Sequence, residues 1–461
     1  MRVILAGYNV DISQFPTKET LCTPETISAA YARISRSKKS VDELRNDAVL
    51  DVEKARRSNK SIVFEMGHSS VAEHAVFNFD IIGISRYLTE FVQRTRLASF
   101  TEKSQRYVAL DGDYVIPDEI KNDSQILKLF QDTIQLQNDA YLSLFDKLKS
   151  HFQQTTSLSK RDLEGRAKED ARYVLSMATQ TQMGMTLNAR SLEHLLKRLY
   201  ALHLTEAKKL ADSLYEQVKD VAPSLIRYIE PSKFDMEKYR TDVTEGTQSS
   251  IGKCTLLSHT PHADETIIAG LIFRSIGRDY STVLDEIERM SVQEKEEILH
   301  RHLTDITCHD SLPREFELVD FLFQVNVSSS CFAQLKRHRI ASIISTDYDP
   351  KFGYTMPRSI DKILQKEFFQ KIIKESEKTY EFLADDYPEV RNYILTNAHH
   401  KKVLFKCNMR ELCHFARLRH DAHAQWDIRE LAQDIIEKAK QSAPLTSTLI
   451  CGKDTFAEAK E

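Results

Sequence analysis

Three short runs of residues occur twice in this chain, in the same order, and that repetition constrains the fold more than any bulk property. Glu25-Thr26-Ile27-Ser28-Ala29-Ala30 returns as Glu265-Thr266-Ile267-Ile268-Ala269-Gly270. Arg94-Thr95-Arg96-Leu97-Ala98-Ser99 returns as Arg337-His338-Arg339-Ile340-Ala341-Ser342. Asn188-Ala189-Arg190-Ser191-Leu192-Glu193-His194 returns as Asn408-Met409-Arg410-Glu411-Leu412-Cys413-His414. The last two runs start at 94 and 188 in the first half and at 337 and 408 in the second, so the second copy is shorter there. From Ala222-Pro223 to Gly252 the chain is rich in charge and turn formers, which is where a join is expected. The reading is a first copy over 1–225, a linker over 226–252 and a second copy over 253–461. At 461 residues the chain is long enough for two or three domains.

Each copy reads as α+β. Ala75, Phe77, Phe79 and Ile81 alternate with His74, Asn78 and Asp80, the period of a half-buried strand. Val319, Phe321, Phe323, Val325 and Val327 repeat that pattern. Long helical patterns run from Ser124 to Phe152 and from Lys366 to Tyr387. The runs Asn188–Leu199 and Asn408–Leu418 each open with an Asn suited to cap a helix. Four-residue spacing then puts Arg190 with His194, and Arg410 with His414, on one helix face.

A formal net charge of −4 makes the whole chain no magnet for nucleic acid, so any bound anion needs a local Arg/Lys cluster. Seven cysteines form no CxxC pair and no regular framework, which favours reduced thiols. The N-terminal apolar run is too short for a signal peptide, and no stretch approaches a membrane span. A cytoplasmic protein is expected. His300, His302, Cys308 and His309 fit no familiar zinc spacing, so no metal is expected. His399-His400 reads as a solvated loop, and Gly7 lacks the companions of a Gly-rich dinucleotide turn.

The chemistry-bearing runs resemble those of the flavin-dependent thymidylate synthases. That family carries Arg-His-Arg, then seven residues, then Ser, with a Glu-x-Ser-x-Arg loop around that Ser. The first copy reads Arg94-Thr95-Arg96 and then Glu102-Lys103-Ser104-Gln105-Arg106-Tyr107, with Thr for the central His. Gly67-His68-Ser69-Ser70-Val71-Ala72-Glu73-His74 is similar to the family's Gly-His-x-Ser/Thr-x-x-Glu-His segment. Ala171-Arg172 and Asn188-Ala189-Arg190 are similar to its later motifs. In the second copy Asn408-Met409-Arg410 leads into Arg417-Leu418-Arg419-His420, which resembles the helix of the substrate-activating Arg. The resemblance implies two tandem copies of a fold with a small, mostly antiparallel sheet and long helices.

The residue types also make sense by themselves. Guanidinium forks hold phosphates bidentately and stay charged. A Ser beside backbone N–H groups in a tight loop completes an anion nest. A guanidinium beside a uracil favours the N3 anion, and the ionised ring is richer in electrons at C5.

In the family, as the resemblance implies, sites form where subunits meet. One side gives a Gln, the Arg-His-Arg and the activating Arg; the other gives the loop and the Arg of the Ala-Arg segment. The second copy keeps Gln334, Arg337-His338-Arg339 and Arg419, where the first has Phe91, Thr95 and Leu199, with Arg198 adjacent. The first copy keeps Glu102, Ser104, Arg106 and Arg172, where the second has Ser345, Asp347, Asp349 and Asn392. Carboxylates at the last two loop positions would repel a phosphate. The losses are complementary, so one composite site is expected.

What the resemblance implies for that site follows. Arg419 would be catalytic. Gln334, Arg337, Glu102, Lys103, Ser104, Gln105, Arg106 and Arg172 would bind dUMP. Ser70, Glu73, Glu102, Arg337, His338, Arg339, Asn408, Arg410 and His414 would bind FAD. The reaction would be C5 methylation of dUMP to dTMP, with methylenetetrahydrofolate as carbon donor and NADPH as reductant. No nucleic-acid or membrane partner is expected. Because family members are homotetramers, a two-copy chain would pair as a homodimer. The alternatives are the same chemistry on another uridine nucleotide such as UMP, a non-catalytic flavin- or nucleotide-binding homologue, or a role on RNA. The last lacks the basic footprint it needs.

Overall fold

The computed structural model describes residues 1–14, 23–106, 112–237 and 252–460. Cys22, Tyr107 and most of the expected linker lie outside them. Phe77, Phe79 and Ile81 are fully buried on one face of β2 (Val76–Ser85), while Asn78 and Asp80 are exposed on the other. This strand pairs with β1 (Arg2–Tyr8) on one side and β4 (Gln180–Asn188) on the other, and β3 (Ala98–Glu102) pairs with β4. All pairings are antiparallel, giving the order β1-β2-β4-β3. The second half repeats this with β5 (Cys254–His259), β6 (Asp320–Ser328), β7 (Ser342–Ser345) and β8 (His400–Asn408) in the order β5-β6-β8-β7. Gly7 sits at a bulge between β1 and β2, and an equivalent register shift falls between Leu256 and Ser258 on β5.

The same helix starts recur. Ser85 caps Arg86–Val92, accepting from the Leu88 amide, and its hydroxyl donates to Glu206 at 2.7 Å. Ser328 caps Ser329–Leu335 and donates to Asp427 at 2.6 Å. Asn188 caps Ala189–Tyr200, and Asn408 caps Met409–Arg419.

The chain folds as two compact units, Met1–Gly246 with Arg358–Thr396, and Thr247–Pro357 with Asn397–Glu461. The first unit thus contains a segment from the second sequence copy. Its helix Lys366–Phe382 lies on the helix Ser124–Thr155, where the hydroxyls of Thr133 and Thr379 meet at 2.8 Å. Gln137 donates to Ser376 at 2.7 Å and to the Ile394 carbonyl at 2.8 Å. Tyr393 donates to Glu206 at 2.6 Å, and Ser359 to Asp170 at 2.6 Å. The Thr133–Thr379 and Gln137–Ser376 pairs fix the register between the two helix faces. The second helix ends at Phe382, short of the expected Tyr387, and residues 383–386 follow as turns. Residues 226–237, placed in the linker, are in part tied down: the amides of Arg227 and Tyr228 donate to Glu193 at 2.7 and 3.0 Å.

In the second unit, Phe321, Phe323, Phe405 and Phe415 stack through the core above the sheet. His399-His400 corrects the solvated-loop reading. His399 is fully buried, and His400 opens β8 with its ring Nε2 2.7 Å from the Thr355 hydroxyl. Pairing with β6 draws His400 into the sheet, and His399 bridges to Tyr354 just before it. Among the described residues, no helix is long and apolar enough to cross a membrane, and no three His, Cys, Asp or Glu side chains could hold a metal ion.

Candidate functional site

In the first unit the loop residues stand at the end of β3, whose register against β4 brings Glu102 beside Met183. Glu102 forms an ion pair with Arg86, both nearly buried, and accepts from Gln93 at 2.9 Å and Thr181 at 3.3 Å. The chain then turns: the Lys103 amide bonds the Gln182 carbonyl at 2.9 Å, and the Arg106 amide donates to the Ser104 hydroxyl at 3.2 Å. Gln105 is buried, and Arg106 forms an ion pair with Glu169. Arg172, also buried, is pushed below the usual arginine range by desolvation, with Glu169 opposing and Arg86 and Arg106 adding to the shift. Arg86, Arg106 and Arg172 thus gather beside Glu102 and Glu169, and guanidinium forks of this kind suit a phosphate.

The second-unit residues lie on the turn after the helix Ser329–Leu335 and on the helix Met409–Arg419. Arg337 and Arg339 are exposed, while His338 between them is buried. Its Nδ1 lies 3.0 Å from the Glu411 carboxylate, and Arg419 Nε donates to its Nε2 at 3.0 Å. Arg419 also reaches Gln334 Oε1 at 3.4 Å. Gln334 is 7% exposed, and its Nε2 has no hydrogen-bond acceptor among the described residues. A buried amide donor with no acceptor is costly unless a ligand completes it. Phe415 packs edge-on to His338 at 4.9 Å, and the exposed His414 ring lies 6.0 Å away.

The remaining candidates serve the fold as well. Arg190 pairs with Glu73 at 2.6 Å, and Arg410 pairs with Glu317 at 2.7 Å while its Nε donates to the Leu312 carbonyl. Each pair ties the strand-opening segment to the following helix, and Glu317 occupies in the second copy the place of Glu73. Ser70 is exposed beside Glu73, on the turn Ser69–His74. Asn408 accepts from the Glu411 amide at 2.9 Å, so Asn408→Ala is expected to cost about 1 kcal/mol of stability, read as a lower urea midpoint.

Sequence reasoning passed over Arg86, Glu169 and Glu411. A signal existed for two of them. The first copy has Arg86 where the second has Ser329, each directly after the capping Ser, and Glu411 stands where the first copy has Ser191. In the first copy Arg198 donates to the Thr95 hydroxyl, so an Arg still meets the centre of the motif despite its one-residue offset.

Two four-stranded antiparallel sheets with repeated strand order, each flanked by helices, define an α+β class. The family model described as Thymidylate synthase complementing protein matches residues 19–224 and again 255–445, and the chain belongs to that family. A UPF0159 protein of Thermoplasma acidophilum is 24% identical over 443 residues, 86% of this chain and 88% of the relative. A flavin-dependent thymidylate synthase of Clostridium tetani is 35% identical over 214 residues, 45% of this chain and 83% of that enzyme. A crystal structure of Thymidylate Synthase X from Helicobacter pylori with FAD and dUMP aligns at TM-score 0.32 and 21% identity, covering 51% of this chain and all (100%) of that one.

Proposed function

We propose that this chain is a flavin-dependent thymidylate synthase that methylates dUMP at C5 to dTMP. Methylenetetrahydrofolate would supply the carbon and NADPH the reducing equivalents. The observation that carries the reading is the division of intact chemistry between the copies. The Arg106–Glu169 and Arg86–Glu102 pairs beside Arg172 survive in one, and the Gln334–Arg419–His338–Glu411 chain in the other. Both sets would serve one nucleotide.

In this reading Arg106 and Arg172, with Ser104, Lys103 and Gln105, hold the phosphate, and Glu102 holds Arg86 in place. Arg337 and Gln334 complete the nucleotide contacts. Arg419 lies along the pyrimidine and favours its N3 anion, which raises electron density at C5. The residues present also fit FAD: the exposed Arg337 and Arg339 and the His414 ring beside His338 suit a planar, anionic group. Ser70, Glu73, Glu102, His338, Asn408 and Arg410 would add to its binding, although Arg410 is largely committed to Glu317 and Leu312. Bound flavin would supply the carbon and hydride relay. A cytoplasmic homodimer of two-copy chains, four domains in all, belongs to the same proposal, and mass in solution tests it.

The functional test is mass spectrometry of the nucleotide after incubation with dUMP, methylenetetrahydrofolate, FAD and NADPH. The expected result is dTMP. Methylation of UMP in place of dUMP would move the activity to the ribonucleotide. Unchanged nucleotides with flavin bound would leave a binding protein without catalysis.

A further inference from the structure

We infer that Glu411 is a positioning residue for Arg419, acting through His338, so that uridylate binding depends on a carboxylate that touches no substrate. The inference rests on the functional reading above and assigns a role to a residue to which the resemblance gives none.

The geometry allows one arrangement of protons. Arg419 Nε–H can only donate, so the His338 Nε2 that it meets at 3.0 Å must present its lone pair. A neutral imidazole then carries its proton on Nδ1, where the Glu411 carboxylate accepts it at 3.0 Å. Burial holds the imidazole's pKa below its ordinary value, with Arg419 working the same way and Glu411 opposing, which agrees with a neutral ring. His414 is the other titratable group facing the ring. Phe415 fixes the ring plane at 4.9 Å. With the carboxylate in place, the Nδ1–H tautomer is favoured and the guanidinium is anchored through Nε. Without it the ring can move its proton to Nε2, and two N–H groups then face each other.

The first copy supplies the control within the same chain. It has Thr95 for His338 and Ser191 for Glu411, and Thr95 bonds the Val92 carbonyl at 3.0 Å while receiving Arg198. Histidine and carboxylate are present together in the copy that keeps the activating Arg and absent together in the copy that lacks it. A Glu kept only to pack a helix would have no reason to follow the His. The Asn that caps this helix is present in both copies.

The experiment compares the FAD-loaded wild type with Glu411→Ala and Glu411→Gln. Calorimetry gives the dUMP affinity, and ¹⁵N-histidine NMR reads the His338 tautomer without nucleotide, assigned with His338→Asn. Glu411→Ala is expected to weaken dUMP binding about tenfold to a hundredfold, the scale of one lost charged hydrogen bond, and to shift His338 away from Nδ1–H. Glu411→Gln, whose amide oxygen accepts the same proton, is expected to restore both to within about threefold of wild type. A purely structural role would lower both variants' unfolding midpoints without the tautomer change or the Gln rescue, and would overturn the proposal. Unchanged dUMP affinity in Glu411→Ala would overturn it alone. A wild type that binds no uridylate, with the Nδ1–H tautomer intact, would overturn the functional reading and this role with it.

Discussion

Arg419→Ala and Arg106→Ala are each expected to lower dTMP formation by about a hundredfold to a thousandfold, although the two residues belong to different copies and different compact units. The expected kinetics differ. Arg419 meets the pyrimidine in the proposed reading, so its loss removes stabilisation of charge that develops in the ring and falls mainly on kcat. Arg106 is held by Glu169 next to the buried Arg172, a phosphate site in the same reading, so its loss removes uniform binding and raises KM first. Arg198→Ala is the matched control. Arg198 lies one position off the place of Arg419 in the other copy and is engaged by Thr95, so its loss should leave turnover within about twofold. Steady-state kinetics on the three purified variants decides the point. Normal turnover in either of the first two would remove the composite site. A loss in Arg198→Ala equal to that in Arg419→Ala would show that both copies support chemistry.

The elements that position these residues were readable because they rest on local periodicity. Alternation at Phe77, Phe79 and Ile81, and at Phe321, Phe323 and Val325, marks strands that bury one face, and both Asn caps stand at the helix starts expected of them. The site was readable only where a motif carried it. Arg86 escaped because its partner Glu102 is reached through the β3–β4 register, not through sequence spacing. Glu169 and Glu411 escaped for the same reason: each meets its partner, Arg106 or His338, across a fold-back of the chain. The transfer of 358–396 into the first unit was also out of reach, since an apolar helix face does not say which apolar face will cover it. His399-His400 misled because a histidine pair reads as polar, whereas at the head of β8 the strand pairing decides its surroundings.

That misread pair leads to the second large effect, a loss of stability in mild acid. His400 Nδ1 lies 3.1 Å from both Asn326 Nδ2 and the Phe352 carbonyl, and Nε2 lies 2.7 Å from the Thr355 hydroxyl. Burial pushes its pKa down to about 4, with neighbouring His399 and Lys253 adding to the shift and Asp427 and the Phe352 carbonyl opposing it. An unfolded chain binds the same proton near pH 6.5. Above that pH neither state is protonated, and the ring costs nothing. As pH falls from about 6.5 toward 4, only the unfolded chain gains the proton, so stability drops through that window and levels below it. The loss is on the order of 3 kcal/mol. His338, also held below its ordinary value by burial, acts in the same direction. Urea unfolding of the wild type and of His400→Gln at pH 7.5 and 4.5 separates the two. The variant should lose markedly less stability between those values, and equal losses would mean that His400 is not held neutral. The strand that opens at His400 runs directly into Asn408 and the helix that carries Glu411 and Arg419. Because folded His400 stays neutral until about pH 4, the loss reaches the proposed pyrimidine site only through the fraction of chain that unfolds, and dUMP affinity of the folded wild type should not follow the stability loss over that window.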